Sequence, residues 1–112
     1  MEFPIVKIEV FIPPEFVDQV NQIIGEIGAG RLGSYESCMS VTRVRGYWRP
    51  LPGASPYNGS IGQLQSADEC KVEFNCPWQL VTEAIRRVKE IHPYEEPLIQ
   101  VIPLLNHLVG QD

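Results

Sequence analysis

The sequence predicts an α+β fold, in which an antiparallel sheet carries two helices on one of its faces. Three observations predict it: an internal repeat, a helix that begins at proline in each half of the repeat, and strands in which apolar and charged residues alternate. The chain has 112 residues, of which 44% are hydrophobic and 21% charged, and this size and balance predict a single domain spanning residues 1–112.

The repeat is visible when the chain is compared with itself at an offset of 64 residues. Residues 7–10 (KIEV) then align with residues 71–74 (KVEF), and Pro13 aligns with Pro77. One apolar helical stripe occurs twice in the same register, which pairs Val20 with Ala84, Ile24 with Val88 and Ile27 with Ile91. Each half is therefore predicted to be a strand followed by a helix.

The strand and the helix of each half have their own signals. In the first strand, residues 6–12, apolar side chains alternate with Lys, Glu and Phe, and its copy at 71–76 shows a similar alternation. Both helices are expected to begin at the aligned prolines, because the first N–H groups of a helix have no intrahelical partner. Gly28 and Pro93 are expected to end them.

Two further strands complete the predicted fold. Residues 35–45 are rich in Val, Thr, Ser and Tyr, and residues 98–105 are almost wholly apolar, so each segment is expected to form a strand after its helix. The order strand, helix, strand, strand, helix, strand is that of a ferredoxin-like βαββαβ sandwich.

The sheet face that lacks helices is predicted to be covered by another copy of the chain. Phe11 lies on that face, and the last strand is apolar on both faces except for Gln100. A second copy is the simplest cover, and a half-solvated sheet with one exposed Phe is the alternative. Four charged side chains of the central strands could pair with one another on this face: Lys7, Glu9, Lys71 and Glu73.

Charge and cysteine content exclude several classes of protein. A formal net charge of −5 argues against nucleic-acid binding. The apolar residues 3–12 are too few to span a bilayer and include Lys7 and Glu9, so neither a membrane segment nor a signal peptide is expected, and a cytoplasmic location is predicted. Three cysteines without close pairs are expected to be reduced thiols, with Cys76 in the core.

A long connection at about residues 46–70 is the first candidate for a functional segment. Structureless connections beyond about 12 to 15 residues are usually functional or disordered, and its aromatic residues argue against disorder. Arginines near its start add planar donors that suit an anionic or aromatic small ligand, or a partner protein. The alternative is a loop held to its own domain by the rings, with solvated arginines. The side chains concerned are Arg43, Arg45, Tyr47, Trp48, Arg49 and Tyr57.

The turn at residues 92–97 (HPYEEP) is the second candidate, because two prolines stiffen it. His92 with Glu95 and Glu96 could bind a divalent ion; a His that caps the helix beside a solvated acidic pair is the alternative. Cys38 could pair with His92 as nucleophile and base, yet nothing marks an orienting third group or an oxyanion hole. No enzymatic activity is therefore predicted.

Residues 28–33 (GAGRLG) match the G-x-G-x-x-G pattern of dinucleotide-binding sites. That pattern binds a pyrophosphate when it follows a strand and opens a helix, whereas here it follows a helix and precedes a strand. A helix cap and a tight turn are predicted instead.

Three motifs carry a family resemblance. Residues 28–38 (GAGRLGSYESC), 48–59 (WRPLPGASPYNG) and 91–97 (IHPYEEP) resemble, in this order, the domain inserted into many bacterial Nif-three-like proteins, here standing alone. The resemblance runs from Lys7 to about Leu104 and extends, more distantly, to the CutA divalent-cation-tolerance proteins and the nitrogen-regulatory PII proteins. It implies a ferredoxin-like subunit that assembles as a homotrimer. The dinuclear metal activity of the main Nif-three-like domain has no corresponding segment here and is not expected.

The resemblance to PII proteins implies a sensor or interaction module that binds a small polar or anionic ligand, or a regulatory protein, in a cleft between subunits. The residues expected to frame this cleft are Trp48, Arg49, Tyr57, Tyr94 and Glu95. The alternative is a copper- or zinc-binding or tolerance protein of the CutA kind, in which a divalent metal ion is the cofactor. Its expected ligands are His92, Glu95, Glu96 and Cys38.

Overall fold

A computed structural model describes residues 3–111 of the chain. Its main elements are β1 (Ile5–Ile12), α1 (Val17–Ile27), β2 (Ser40–Trp48), β3 (Gln65–Pro77), α2 (Val81–Ile91) and β4 (Ile99–Pro103). The strands form one antiparallel sheet in the order β2-β3-β1-β4. Both helices pack on the same face of this sheet, so the predicted α+β ferredoxin-like fold is confirmed.

The two halves of the repeat fold alike. A 3-10 turn, Pro14–Phe16, leads into α1, and a second 3-10 turn, Trp78–Leu80, leads into α2. Every bound of the second turn and helix lies 64 residues after its counterpart in the first half. The offset that aligns the sequence with itself is therefore also the offset that aligns the structure.

The core lies between the sheet and the helices. Alternate residues of β1, starting at Val6, are buried in this core, and Phe74 of β3 lies directly opposite Ile8. The repeated helical stripe contributes its buried members from both halves: Val20, Ile24, Ala84 and Val88. Cys76 is buried as predicted, and this burial raises the pKa of its thiol to about 11, so it stays protonated at neutral pH.

The other face of the sheet carries the predicted charged cluster. Lys7 Nζ lies 2.8 Å from Glu73 Oε1 and 3.7 Å from Glu9 Oε2, and Lys71 Nζ lies 3.8 Å from Glu73 Oε2. The register places Glu9 opposite Glu73, so Lys7 reaches Glu73 diagonally across β1 and β3, and the predicted pairing is confirmed.

The second strand begins later than predicted. The expected strand at residues 35–45 is wrong in its first part, because β2 starts at Ser40. Leu32 and Tyr35 form an isolated bridge, and Ser37 has a φ of 57°, a left-handed conformation that interrupts an extended strand. Val, Thr, Ser and Tyr favour strands only where a neighbour is available to pair with, and residues 35–39 have none in β3.

The long connection is shorter than predicted. Its expected span of about 46–70 is wrong at both ends, because β2 continues to Trp48 and β3 begins at Gln65. The polar run 65–69 has no apolar alternation and becomes a strand through its pairing with β2. The irregular loop is therefore residues 49–64. The last strand is also shorter than expected, Ile99–Pro103 instead of 98–105.

The glycine-rich segment is a helix end. Gly28 caps α1 in a left-handed conformation, with φ of 86°, and its N–H donates to the carbonyl of Ile24. The prediction of a cap and a turn in place of a dinucleotide motif is confirmed. Within residues 3–111, no helix is long and apolar enough to cross a membrane.

Candidate functional site

One end of the β2–β3 hairpin projects beyond the rest of the sheet. β1 pairs with β3 only as far as Cys70, so residues 65–69 pair with β2 alone. Side chains alternate along a strand, so Glu69 lies on the same face as Lys71 and Glu73, away from the helices. A cavity of about 760 Å³ lies on this face, between the hairpin, the 49–58 loop and the turn after α2.

The five residues that the sequence predicts for a ligand cleft all line this cavity: Trp48, Arg49, Tyr57, Tyr94 and Glu95. Glu96, predicted as a metal ligand, lines it as well. Phe11, near the end of β1, pairs with Lys71 of β3, and the Phe11 N–H donates to the carbonyl of Leu98 at 3.1 Å. These two contacts bring the loop and the turn together.

Tyr94 is the centre of an aromatic cluster. Its ring centroid lies 4.9 Å from that of His92, 6.0 Å from Tyr57 and 6.3 Å from Trp48. Trp48 Nε1 donates to the carbonyl of Asn58 at 3.0 Å, which ties the loop back to the end of β2. The rings therefore form a wall of the cavity that comes from both segments.

Glu69 is the site residue that the sequence analysis missed. Its side chain is buried, with the residue only 7% exposed, and the hydroxyl of Tyr94 donates to its Oε2 at 2.7 Å. A Cβ atom on Gly46 would lie 1.9 Å from Glu69 Oε1, so any other residue at position 46 would move this carboxyl group from its place across the strand pair. The signal in the sequence is the alternation of Glu69, Lys71 and Glu73, but the predicted loop at about residues 46–70 includes Glu69 and hides it.

The tyrosine at the centre of the cluster keeps its proton. Burial, together with the hydrogen bond to Glu69, raises the pKa of Tyr94 well above its usual range. At neutral pH the Tyr94 hydroxyl is therefore a donor, and the Glu69 carboxyl group is its acceptor.

The remaining charged groups of the cavity are exposed. Arg45 is held by Asp68 at 3.2 Å and by Ser66 at 2.8 Å, whereas Arg49 makes no ion pair within residues 3–111. Glu95 Oε1 accepts a hydrogen bond of 2.9 Å from the backbone N–H of Ser55, which joins the turn to the loop.

His92 has a structural role in the turn. Its Nε2 lies 2.7 Å from the carbonyl of Phe11 and donates to it, and its Nδ1 accepts from the backbone N–H of Tyr94 at 3.2 Å. Burial lowers the pKa of His92, which favours this neutral form. Its backbone N–H donates to the carbonyl of Val88, so His92 also caps α2, the alternative that the sequence left open.

The predicted metal ligands are not brought into one cluster. Cys38 lines a separate cavity of about 330 Å³ beside Lys7 and Glu73, while both ring nitrogens of His92 are engaged in hydrogen bonds. Among residues 3–111, no group of three or more His, Cys, Asp and Glu side chains could hold a metal ion. Metal binding stays a prediction, which titration of the purified chain with copper and zinc tests directly.

The sequence and the fold can be compared with those of known proteins. No family model matches the chain. It is 33% identical over 101 residues to the GTP cyclohydrolase 1 type 2 homolog of Bacillus subtilis, a match that covers 90% of the chain and 27% of that relative. Relatives of the same name match at similar coverage, including one from Mycobacterium leprae, of which 25% is covered. The chain thus spans about a quarter of the length of the curated relatives it matches.

Solved structures with a similar fold come from two kinds of protein. The PII-like protein CutA from Nostoc sp. PCC 7120 has a TM-score of 0.67 at 19% identity, over 92% of this chain and 84% of that one, a likeness that shows the fold alone. The Bacillus cereus protein related to NIF3 has a TM-score of 0.79 at 30% identity, over 91% of this chain and 26% of that one. The chain has the fold of CutA, a PII-like protein. It is related in sequence to a part of the NIF3-related proteins, and the predicted resemblance is confirmed.

Proposed function

We propose that the chain is a cytoplasmic sensor or interaction module that binds a small polar ligand in the 760 Å³ cavity. One observation carries this proposal: aromatic rings and charged groups from the 49–58 loop and the 92–98 turn line the same cavity. Ligand pockets typically enclose about 300 to 1,000 Å³ and combine apolar walls with a few convergent polar groups. The volume and the lining of this cavity fit that description.

The cavity is connected to the core in a way that suits a sensor. Tyr94 contacts His92, and His92 caps α2 and hydrogen-bonds to Phe11 at the end of β1. A ligand that moves the Tyr94 ring therefore acts on a helix end and on a central strand. A regulatory protein that docks on this end of the domain would respond to such a change.

The proposal is for binding without catalysis. The relatives are named GTP cyclohydrolase 1 type 2 homolog, but the chain covers only about a quarter of their length. The two ring nitrogens of His92 are already engaged, which argues against a free general base at this position. Turnover of GTP by the purified chain, measured as release of formate, would contradict this part of the proposal.

Ligand binding can be measured through Trp48. The chain has two tryptophans, and Trp78 is exposed and lines neither cavity. A Trp78→Phe variant therefore reports on Trp48 alone. We expect its fluorescence to change on titration with a compound from a panel of nucleotides, organic acids and amines. We also expect Tyr57→Ala to weaken that response, while Tyr35→Ala, an exposed tyrosine outside the cavity, does not. A panel without any response would leave a protein-interaction module as the better description.

We also propose a homotrimer in which neighbouring copies cover the open sheet face around Phe11 and Ile102. Phe11 is only half-buried in the single chain, and Leu105 and Leu108 beyond β4 are exposed. We expect Phe11→Glu to dissociate the assembly, because it places a charge in the contact. Thr82→Glu, on the exposed surface of α2, is the control. A wild-type chain that sediments as a 12.7 kDa monomer at micromolar concentration would overturn the trimer.

A further inference from the structure

We propose that Glu69 makes the cavity selective for ligands with a protonated amine, which donates a hydrogen bond to Glu69 Oε1 beside the ring wall of Trp48 and Tyr94. The inference rests on the proposed function, because it names the class of ligand for the same cavity. It depends on the surroundings of one carboxyl group.

The first step is that Glu69 is buried without a cation. Within residues 3–111, its hydrogen-bond partner is the neutral hydroxyl of Tyr94, and no lysine or arginine forms an ion pair with it. Arg43 and Arg45 flank Val44, the residue of β2 that pairs with Glu69, so both lie on the opposite face of the hairpin, where Asp68 engages Arg45. A glutamate that is only 7% exposed is rarely left without a compensating charge.

The second step concerns the oxygen that Tyr94 leaves free. Glu69 Oε2 accepts from Tyr94, whereas Oε1 has no partner among the described residues. No fully buried side-chain oxygen or nitrogen in this part of the chain lacks a partner, so Oε1 must retain some access to solvent. Glu69 lines the 760 Å³ cavity, and that cavity is where the access leads. Oε1 is thus an acceptor at the wall of the cavity that no described residue occupies.

The third step is that the backbone reserves space for this carboxyl group. A side chain on Gly46 would collide with Oε1, Cδ and Cγ of Glu69, at 1.9, 2.6 and 3.3 Å from its Cβ. The glycine lets Glu69 lie flat across the strand pair, and the Tyr94 hydroxyl fixes the other oxygen. The position of Oε1 is therefore set before a ligand binds, which lowers the entropy that binding loses.

The fourth step decides the sign of the ligand charge. Arg49 and the two carboxylates of the turn are exposed, so their effects on a ligand are screened by water and salt. Glu69 is the buried charged group of the lining, and the faces of the rings next to it are negative and attract cations. Both the carboxylate and the ring faces favour a cation over an anion at this end of the cavity.

The experiment compares three probes of one shape: benzylamine, benzyl alcohol and benzoate. Binding to the Trp78→Phe chain is measured by the fluorescence of Trp48 and by NMR shifts of the backbone amides around Tyr94. We expect benzylamine to bind at least tenfold more tightly than benzyl alcohol, and benzoate to bind most weakly.

Substitutions then assign the preference to Glu69. Glu69→Gln preserves the shape of the side chain. We expect it to lower the affinity for benzylamine to that for benzyl alcohol and to leave the affinity for benzyl alcohol unchanged. Glu96→Gln, an exposed carboxylate of the same cavity, is the matched control and should change benzylamine affinity by less than about twofold.

The outcomes separate this inference from the function on which it rests. Equal affinities for the three probes, or a benzylamine preference that survives Glu69→Gln, would overturn the role of Glu69. Preferred binding of benzoate, abolished by Arg49→Ala, would overturn the inference and leave a ligand-binding cavity in place. Absence of binding by all three probes at millimolar concentration, together with no response to the wider panel, would overturn both. If Glu69→Gln does not fold, the comparison of the three probes on the chain that retains Glu69 still tests the inference.

Discussion

The two helices of the repeat end at equivalent positions and lead to different structures. Gly28 follows α1 with φ of 86°, whereas its counterpart His92 follows α2 with φ of −73° and ψ of 127°. We call the segment that follows each helix its exit, and each exit contacts the other half of the repeat at an equivalent position. Gly30 N–H donates to the carbonyl of Asn75, and His92 Nε2 donates to the carbonyl of Phe11. Phe11 is the repeat equivalent of Asn75.

The cavities beside these exits differ in size and chemistry. The exit after α1 borders about 330 Å³, and the one after α2 borders about 760 Å³. At the first exit a Cβ on Gly30 would lie 2.7 Å from the carbonyl oxygen of Cys38, so the chain closes tightly on glycine. At the second, the equivalent residue is Tyr94, which reaches Glu69 on the extended hairpin. A duplicated framework thus acquires its larger cavity where its two copies diverge.

The largest expected effect comes from a substitution in the core that both halves of the repeat share. Phe74→Ala removes a buried ring that lies opposite Ile8 at the centre of the sheet, and we expect it to lower the free energy of unfolding by about 3 to 5 kcal/mol. Urea denaturation followed by circular dichroism measures this loss. Trp78→Ala is the control, because that ring is 56% exposed, and a comparable loss there would contradict the assignment of the core.

A second prediction separates the two exits. Gly30→Ala and Gly33→Ala both place a side chain in the left-handed region, which costs about 1 to 2 kcal/mol in each case. A Cβ at Gly30 also meets Cys38 and Ile24, whereas a Cβ at Gly33 meets nothing within 4 Å. We therefore expect Gly30→Ala to destabilise the chain more than Gly33→Ala in thermal unfolding. Equal losses would show that the first exit is not tightly closed.

The second exit is expected to be sensitive to pH. Burial lowers the pKa of His92 below its usual 6.5, so the unfolded chain takes up this proton at a higher pH than the folded chain. The stability due to neutral His92 is complete above pH 6.5 and is lost as pH falls below 6.5 through the folded-state pKa. The titratable side chains that face the His92 ring are those of Glu69 and Tyr94.

Urea midpoints measured between pH 5 and pH 7.5 test the effect, because this interval brackets the usual histidine pKa of about 6.5. We expect His92→Gln to flatten the dependence over this range. The same replacement at His107, an exposed residue, is the control and should preserve it. A profile that is unaffected by either replacement would mean that His92 is not the titrating group.

The smallest expected effect concerns the charged cluster on the open sheet face. The hydrogen bond from Lys7 lowers the pKa of the Glu73 carboxyl group, and this half-buried pair joins β1 to β3. We expect a coupling energy of about 1 kcal/mol or less between Lys7→Gln and Glu73→Gln in a double-mutant cycle, decreasing with salt. A coupling that does not change with salt would indicate that a neighbouring copy shields the pair.

The sequence by itself determined the framework of this protein. The alternation in β1, the repeated stripe and the helix ends at Gly28 and Pro93 are local patterns, and each follows from which side chains must leave water and which backbone conformations a residue allows. The candidate residues of the loop and the turn were also predictable, because arginine, aromatic rings and carboxylates stand out within short segments. Their approach to one cavity was an expectation taken from the resemblance.

The tertiary structure alone decided which buried side chains line the cavity. Residues 65–69 have no strand pattern of their own, and only the register that pairs Glu69 with Val44 carries β3 outward and turns Glu69 toward Tyr94. That register is set by contacts between residues far apart in the chain, so no window of the sequence holds it. The buried carboxyl group, the glycine that makes room for it and the hydroxyl that fixes it become one site only when the strands have paired.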